Sequence, residues 1–567
     1  MQEVAAFSDN ALRILESRYL AYINGRRETV DEFIKRVSLG SSEYEHELIR
    51  PLVFLPNSPT LFNIDVPAGG TLSACFKFDV ADTMLSKVGP LGRSEGVGNG
   101  IMDVATKSSM VIKWGGGVGY YLGSVRAKGS LVNSTHGIAM GPVALLKFYH
   151  SLASMLTQGG KRAAAQMGIL PADHPDIMEF ITCKDNNPQD LSTFNISVSL
   201  SDEFMEKAVT GGTKEHHVLR TMAKSAWKTG DPGVYFVSRA EQDNPTPWAG
   251  KLTGTNPCGE VPLLDDEPCN LGSINLRRFY NKDTFIDYSH LERVVRLATN
   301  YLDDVLDRNH FPIQAITDAA LYTRKLGLGV CGWADLLALA HIPYTSERAL
   351  DELDRVLKFI REIADDESLH LGLERGVAPC FKDQDNTGDN ILSVPPTRPQ
   401  YRNATRLCIA PTGSIAILMD ASSGIEPHYL LSWTRTLGNG QVIQEKLAVA
   451  DEIDGFIPET AMEIPWEWHV AHQATAQRHV DLAVSKTINM PNTATEEDMY
   501  NAYVAMWRAG LKGGTVYRDG CREVQVLNEV EKAYTEGAKC PECGGPVKHE
   551  EQCTECVAGC GWTACSI

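Results

Sequence analysis

The spacing of apolar residues predicts several amphipathic helices. Over residues 8–22, Leu12, Leu15 and Tyr19 recur on one face, and Ser8 can cap the first turn. Helical spacing recurs at residues 289–306 and 351–371, and residues 31–50 and 140–157 are also predicted to be helical. These segments predict a chain rich in helices that each bury one face.

Strand patterns lie between the helical segments. Phe194 to Leu200 alternates apolar and polar residues, as a half-buried strand does. Leu407 and Ile409 predict a short strand that leads into a turn at Pro411. Because strands and helices alternate over roughly residues 60–515, we expect a large α/β body.

Composition and charge narrow the class of protein. The chain has 567 residues, of which 43% are hydrophobic and 22% are charged, the balance of a globular protein. A net charge of −19 argues against a general binder of nucleic acid or of membrane surfaces. No apolar run reaches about 18 residues, and residues 1–10 lack a secretory apolar segment. We therefore expect a cytoplasmic protein.

The cysteines are unevenly distributed. Six of the 14 lie between Cys540 and Cys565, which is unlike the pattern of a disulfide-stapled secreted fold. Two CxxC pairs, Cys540 with Cys543 and Cys553 with Cys556, have the spacing of a structural zinc site. The lysine- and glutamate-rich stretch that precedes them predicts a flexible linker.

The segment Asn256-Pro257-Cys258-Gly259-Glu260 is the first candidate for chemistry. Proline and glycine disfavour a helix, and in an extended loop alternate residues point the same way. Asn256, Cys258 and Glu260 would then present an amide, a thiol and a carboxylate on one face, a useful set for catalysis. The alternative is a surface loop whose cysteine is buried for packing.

Several motifs in order resemble the catalytic chain of ribonucleotide reductases. The matching segments are Asn57-Ser58-Pro59-Thr60-Leu61, Leu72-Ser73-Ala74-Cys75, Gly115-Gly116-Gly117-Val118-Gly119, Asn256 to Glu260, and Pro411-Thr412-Gly413-Ser414. The resemblance covers nearly all of residues 1–567. It implies a ten-stranded α/β barrel over residues 56–520, a helical region over 1–55, a linker over 521–539 and a cysteine-rich tail over 540–567.

The resemblance also implies roles for five residues. Cys258 matches the cysteine that becomes a thiyl radical and takes the 3′-hydrogen of the ribose. Glu260 matches the carboxylate that accepts the 3′-hydroxyl proton, and Asn256 matches the amide that binds the sugar hydroxyls. Cys75 and Cys269 match the pair that reduces the 2′-position and closes as a disulfide, which two neighbouring thiols can do.

Further matches concern binding and electron supply. The resemblance places substrate contacts at Thr60, Ala74, Gly117, Pro411, Thr412, Gly413, Ser414 and Ile415. Lys161 and Arg162 match a loop that connects effector identity to substrate choice. The alternative is a solvated basic loop without this role. Cys560 and Cys565 match a terminal redox pair, but Cys556 could exchange roles with Cys560.

The resemblance favours the adenosylcobalamin-dependent class. The region 510–520 holds Tyr517 without an adjacent tyrosine, whereas oxygen-dependent large subunits carry a tyrosine pair there. The expected partners are ribonucleoside diphosphates, ATP or deoxynucleotide effectors, a thioredoxin- or glutaredoxin-type reductant and a second copy of the chain. The alternatives are an oxygen-dependent large subunit that needs a separate radical-generating subunit, and a zinc-ribbon regulatory protein that binds nucleic acid.

Overall fold

The computed structural model describes most of the chain. The described ranges are residues 7–67, 69–86, 98–132, 136–158, 162–187, 191–383, 400–436 and 442–521, and the backbone of strands at 528–529, 547–550, 553–556 and 563–565. The chain divides into two compact units, Met1–Tyr429 with Asp451–Glu523, and Leu430–Ala450 with Val524–Ile567.

Ten strands form the main sheet of the larger unit. In chain order they are β1 (Phe54–Pro56), β2 (Cys75–Asp79), β3 (Gly117–Tyr121), β4 (Gln166–Pro171), β5 (Phe194–Leu200), β6 (Gly233–Phe236), β7 (Pro268–Asn275), β8 (Leu326–Cys331), β9 (Thr487–Met490) and β10 (Gly513–Arg518). Their order across the sheet is β8-β7-β2-β3-β4-β5-β6-β10-β9, and β1 pairs with β7.

The sheet consists of two parallel groups that run in opposite directions. Strands β2 to β6 are parallel, as are β7 with β8 and β9 with β10. The two groups meet in antiparallel pairs, β2 with β7 and β6 with β10. The segment predicted as a short strand connects the free edges, because Leu407 pairs with Leu328 of β8 and Ile409 pairs with Val484 ahead of β9. The expected ten-stranded α/β barrel is confirmed.

The predicted strand at residues 194–200 forms with the expected bounds, but its burial differs from the prediction. Every residue of β5 except Asn195 is buried, so the strand is not half-exposed. Its polar positions Ser197 and Ser199 are 7% and 6% exposed. Parallel strands are covered on both faces, so alternation of side-chain type here does not indicate a solvent-facing side.

Helices connect the strands and cover the barrel. The longer ones are Ile101–Lys113, Gly141–Ser154, Lys214–Thr229, Tyr288–Arg308, Gln314–Thr323, Glu347–Arg375, Trp466–Gln477 and Glu496–Arg508. The helices predicted at 140–157, 289–306 and 351–371 are therefore confirmed within a few residues. Helix Tyr288–Arg308 packs against both Glu347–Arg375 and β7, and so carries its apolar stripe into the core.

Two helical predictions near the start of the chain need correction. The first helix begins at Asp9 under a Ser8 cap but ends as a π-helical turn at Tyr19, ahead of a short hairpin. The segment 31–50 is not one helix: Val30–Val37 ends before Leu39 and Gly40, which both have positive φ. Helical structure then restarts at Ser42–Tyr44. Gly40 adopts the left-handed conformation readily, and this conformation ends a helix, which explains the break.

The smaller unit contains two small sheets. One has Ser432–Thr436 between Val442–Lys446 and Asn528–Glu529, and the other has Cys553–Cys556 between Val547–Glu550 and Thr563–Cys565. The predicted linker at 521–539 and tail at 540–567 fall largely in this unit, and their boundaries stay predictions. Among the helices that the structure describes, none has the length and apolar character needed to cross a membrane.

Candidate active site

The candidate cysteine segment lies at the tip of a hairpin between β6 and β7. Residues Gly254–Thr255 pair with Pro262–Leu263, and we call the whole segment 254–263 the cysteine hairpin. It crosses β3 so closely that a Cβ on Gly119 would lie 1.7 Å from the Thr255 carbonyl oxygen. A Cβ on Gly117 would lie 2.9 Å from the Pro257 ring. The glycine run of β3 therefore makes room for the hairpin.

The tip is a tight turn, and the predicted extended loop is wrong. Gly259 has φ +84°, and its N–H donates to the Asn256 carbonyl at 3.2 Å. Asn195 of β5 fixes the turn by donating its side-chain amide to the Pro257 carbonyl at 3.0 Å. The turn leaves Cys258 exposed while Asn256 and Glu260 are 2% and 1% exposed. The thiol is accessible, and its two polar neighbours face the interior.

The Asn256 side chain connects the cysteine hairpin to β2. Its Oδ1 accepts the Val261 N–H at 3.0 Å, and its Nδ2 donates to the Cys75 sulfur at 3.1 Å. The amide is therefore fixed in orientation by its own hairpin and in contact with a thiol of β2.

Glu260 is a buried carboxyl group with spare hydrogen-bonding capacity. The Cys75 sulfur lies 4.0 Å from its Oε1, and among the described residues its Oε2 has no hydrogen-bond partner. The backbone carbonyl of Glu260 accepts the Ala483 N–H at 2.8 Å, which holds this side of the hairpin. Burial raises the pKa of Glu260 to about 7, partly offset by the Asn256 hydrogen bond. A carboxyl group with this pKa can accept a proton near neutral pH.

This pKa gives a prediction for the pH profile of turnover. A base must be ionised, and a raised pKa near 7 means that the ionised form is lost as the pH falls through that value. We expect kcat/KM to rise roughly tenfold between pH 6 and pH 8 and then level off. Initial rates over this range measure it, with Glu260→Gln as the control, which should be slow and lack the inflection. A flat wild-type profile would contradict a base role for Glu260.

Cys75 and Cys269 lie opposite each other in neighbouring strands. They are register partners in the antiparallel pair of β2 and β7, and both are free thiols. Burial is the main factor that raises both pKa values, and for Cys75 the nearby Glu260 and the other thiols add to it. The two thiols are thus held protonated, side by side and away from solvent, which suits a pair that supplies two electrons together.

A buried ion pair supports the Cys269 end of this arrangement. Lys325 donates to Glu267 at 2.7 Å, and both side chains are fully buried. The Lys325 carbonyl oxygen in turn lies 3.7 Å from the Cys269 sulfur. Removal of either charge would leave the other buried without a partner. The pair therefore holds together the starts of β7 and β8, next to the Cys269 thiol.

Cys408 is a further thiol next to the pair, and the sequence analysis gave it no role. A Cβ on Gly327 of β8 would lie 2.7 Å from the Cys408 sulfur and 3.6 Å from the Cys269 sulfur. Cys408 is fully buried and belongs to the same apolar cluster as Cys75 and Cys269. Its position ahead of the 411–414 motif was the only sequence signal that could have placed it here.

The predicted substrate positions fall in two groups. Thr60, Ala74 and Gly117 lie near the start of β2 and β3, where the Gly117 N–H donates to the Ala74 carbonyl at 2.8 Å. Thr60 is fully buried and donates its hydroxyl to the Leu72 carbonyl at 2.9 Å. Its hydroxyl supports the loop before Cys75, and its contact with substrate stays a prediction.

The second group is the loop of residues 411–415. Thr412 Oγ1 accepts the Gly424 N–H at 2.9 Å and lies 3.2 Å from the Ser423 hydroxyl. The Ser414 hydroxyl accepts a hydrogen bond from Arg18 at 3.2 Å. Pro411 and Gly413 complete the turn, and Ile415 is 6% exposed. The loop is anchored on both sides, and its role in binding phosphate stays a prediction.

The remaining predicted residues are only partly described. Lys161, Cys540, Cys543 and Cys560 lie outside the described residues. For Arg162, Cys553, Cys556 and Cys565 the structure describes the backbone, which places Cys553 opposite Cys565 in the three-stranded sheet. Among the residues whose side chains are described, no cluster fits a metal ion. The zinc, redox-tail and effector assignments stay predictions.

The barrel and its site define a thiol-based redox enzyme. An accessible cysteine at a hairpin tip, a buried carboxyl and amide on the same hairpin, and two free thiols in register are brought together from three segments: the hairpin, the adjoining β7 and the distant β2. The family description "ribonucleotide reductase, barrel domain" matches residues 73–215 and 212–517. The chain therefore belongs to the ribonucleotide reductase family.

Two relatives agree with this placement, and a solved structure agrees with the fold. The chain is 37% identical to a vitamin B12-dependent ribonucleoside-diphosphate reductase of Thermoplasma acidophilum, over 89% of this chain and 69% of the relative. It is 36% identical to the reductase of the same description from Mycobacterium tuberculosis, over 91% of this chain and 80% of the relative. The fold is similar to that of the class Id ribonucleotide reductase alpha subunit of Actinobacillus ureae, with a TM-score of 0.71, 20% identity and coverage of 91% and 97% of the two chains.

Proposed function

We propose that the chain reduces ribonucleoside diphosphates to 2′-deoxyribonucleoside diphosphates, with adenosylcobalamin as the radical source. The observation that carries this proposal is the accessible Cys258 thiol above a buried, register-matched pair of free thiols. The B12-dependent reductases to which the chain is 36–37% identical support the choice of cofactor and substrate. They favour it over an oxygen-dependent large subunit.

Each side chain of the hairpin has one part in the proposed reaction. The Cys258 thiyl radical takes the 3′-hydrogen of the ribose and returns it at the end of the cycle. Glu260 accepts the 3′-hydroxyl proton while Asn256 binds the sugar hydroxyls. Cys75 and Cys269 then give two electrons and two protons as they close to a disulfide, and the 2′-hydroxyl leaves as water.

The cobalamin cofactor would act on Cys258, which is the exposed residue among the five predicted catalytic residues. Cys258 is accessible, whereas Asn256, Glu260, Cys75 and Cys269 are all buried by at least 97%. A large cofactor can therefore reach the Cys258 thiol. When bound, the cofactor would supply the organic radical that oxidises the Cys258 thiol.

We propose that the cysteines of the tail supply the electrons for each further turnover. Cys560 and Cys565 would reduce the Cys75–Cys269 disulfide by thiol–disulfide exchange and would be recharged by a thioredoxin- or glutaredoxin-type reductant. The spacing of Cys540, Cys543, Cys553 and Cys556 supports a zinc site beside them. Because Cys553 pairs with Cys565 along the backbone, the zinc and redox cysteines would be close neighbours.

An exposed apolar patch supports the proposed homodimer, at whose interface effector nucleotides would bind. Met102 and Met110 on helix Ile101–Lys113 are exposed, as are Phe148 and Met155 on or next to helix Gly141–Ser154. The two helices contact each other, and we take their exposed apolar residues as one candidate surface. Adjacent apolar residues on a protein surface are typical of an interface.

We expect this patch to control the oligomeric state. Met110→Glu combined with Phe148→Glu should weaken the dimer by roughly a hundredfold or more, because each introduced carboxylate would be desolvated at the interface. Light scattering over a dilution series measures the dimer fraction. Leu373→Glu, at an exposed apolar residue on another helix, is the matched control. A double variant that stays dimeric at the wild-type concentrations would place the interface elsewhere.

Anaerobic turnover tests the proposed function. The purified chain is mixed with a ribonucleoside diphosphate, adenosylcobalamin and a dithiol, and 2′-deoxy product is quantified. We expect product from this single chain. Product that forms only after addition of a separate radical-generating subunit would favour the oxygen-dependent alternative. Tight nucleic-acid binding without any turnover would favour the zinc-ribbon alternative.

A further inference from the structure

The first helix of the chain contacts two of the segments that carry predicted substrate residues. Arg18 donates to the Ser414 hydroxyl at 3.2 Å, and the next residue, Tyr19, shares a hydrogen bond of 2.9 Å with Ser58. At the start of the helix, Ser8 donates to Asp420 at 2.5 Å. A single helix therefore connects the 411–415 loop with the segment that leads to Thr60.

Arg18 is presented from a fixed backbone. Tyr19 is 1% exposed, and its ring stacks on Phe62 with the ring centres 4.9 Å apart. Leu15, one turn earlier, is fully buried. The turn Leu15–Tyr19 is π-helical, a local distortion found frequently at functional sites. The buried neighbours hold the position of Arg18 while its own side chain stays exposed.

The charge of Arg18 has no carboxylate partner in the part of the chain that the structure describes. Other arginines of the same region do: Arg26 pairs with Glu32 at 2.5 Å, and Arg36 pairs with Glu28 at 2.6 Å. Arg18 instead donates to the hydroxyl of Ser414 through one nitrogen. The other guanidinium N–H groups remain available to a planar or tetrahedral anion, which they can bind in a forked geometry.

We infer that Arg18 binds the phosphates of the substrate, together with the hydroxyls of the 411–415 loop. This inference rests on the proposed function, since the phosphate is that of the ribonucleoside diphosphate. Ser414 and Arg18 offer a neutral and a charged donor at the same place, and the combination suits the doubly charged terminal phosphate. Arg18 would thus be a binding residue that sets affinity for the phosphate end of the substrate, without a part in the radical steps.

Binding measured without cobalamin tests this inference. The dissociation constant of a ribonucleoside diphosphate is determined by equilibrium dialysis for the wild type, Arg18→Ala, Arg18→Lys and the control Arg13→Ala. Arg13 is exposed on the same helix, and no contact with the loop is among its described interactions. We expect Arg18→Ala to weaken binding roughly tenfold, Arg18→Lys to weaken it less, and Arg13→Ala to leave it unchanged. In Arg18→Ala, the affinity for pyrophosphate, measured as a competitor, should fall by the same factor as the affinity for the ribonucleoside diphosphate.

A ribonucleoside without phosphate separates binding from a change of fold. Its weak affinity should be equal in the wild type and Arg18→Ala, and the two proteins should unfold at the same temperature. Equal diphosphate affinity in the two proteins, or an equal loss for the nucleoside, would overturn the inference. A wild type that binds the diphosphate but makes no deoxy product would refute the proposed function. The comparison of diphosphate affinity between the wild type and Arg18→Ala would still test the role of Arg18.

Discussion

Cys258→Ser is expected to lower formation of deoxynucleotide by about 10,000-fold or more, because it removes the atom that carries the radical. A serine O–H bond is stronger than an S–H bond, so an oxygen radical would not form under the same conditions. Cys258 is exposed at the hairpin tip, and the turn is held by Asn195 and Gly259. The variant should therefore fold normally and bind substrate.

Anaerobic product formation over a long incubation measures this loss. Cys183→Ser is the matched control, because Cys183 is also partly accessible but lies in the helical region after β4. That control should keep wild-type activity. A Cys258→Ser protein with more than a few per cent of wild-type turnover would show that another residue initiates the reaction.

Cys75→Ser is expected to abolish reduction at the 2′-position, with a loss of at least about 1,000-fold in multiple turnover. Serine is close in size to cysteine and can still accept the Asn256 amide hydrogen bond, so the packing of β2 against the hairpin should survive. The variant lacks one of the two sulfurs needed for a disulfide. It cannot deliver two electrons to the substrate.

The assay compares product per chain with and without an external dithiol. The pre-reduced wild type should make about two products per chain without dithiol, one from each cysteine pair, and many with it, whereas Cys75→Ser should make almost none in either case. Cys331→Ser, at another fully buried cysteine in the barrel, is the control and should behave as the wild type. Normal turnover by Cys75→Ser would assign the reducing pair elsewhere, and Cys408 would be the next candidate.

Local patterns in the sequence predicted local structure well. The stripe from Leu291 to Val305 and the run from Phe194 to Leu200 form the expected helix and strand, because periodicity depends only on neighbouring residues. The break at Leu39 and Gly40 was missed, since apolar spacing continues across it while the backbone turns. The burial of β5 on both faces also depends on distant helices that a local pattern does not contain.

The active site could be predicted only in part. The order of motifs named Asn256, Cys258 and Glu260, and the hairpin that carries them is a consequence of proline and glycine at the tip. Their neighbours come from other strands: Cys75 is 181 residues from Asn256, and Arg18 is 396 residues from Ser414. Such contacts depend on the closed barrel. Arg18 and Cys408 therefore became candidates only in the folded chain.

Electron paramagnetic resonance tests the central claim most directly, which is that Cys258 carries the radical. The protein is prepared with cysteine deuterated at the β-carbon, mixed anaerobically with adenosylcobalamin and substrate, and frozen within milliseconds. We predict a radical signal that narrows on deuteration and is absent in Cys258→Ser. A signal that does not change on deuteration, or that persists in Cys258→Ser, would contradict the account.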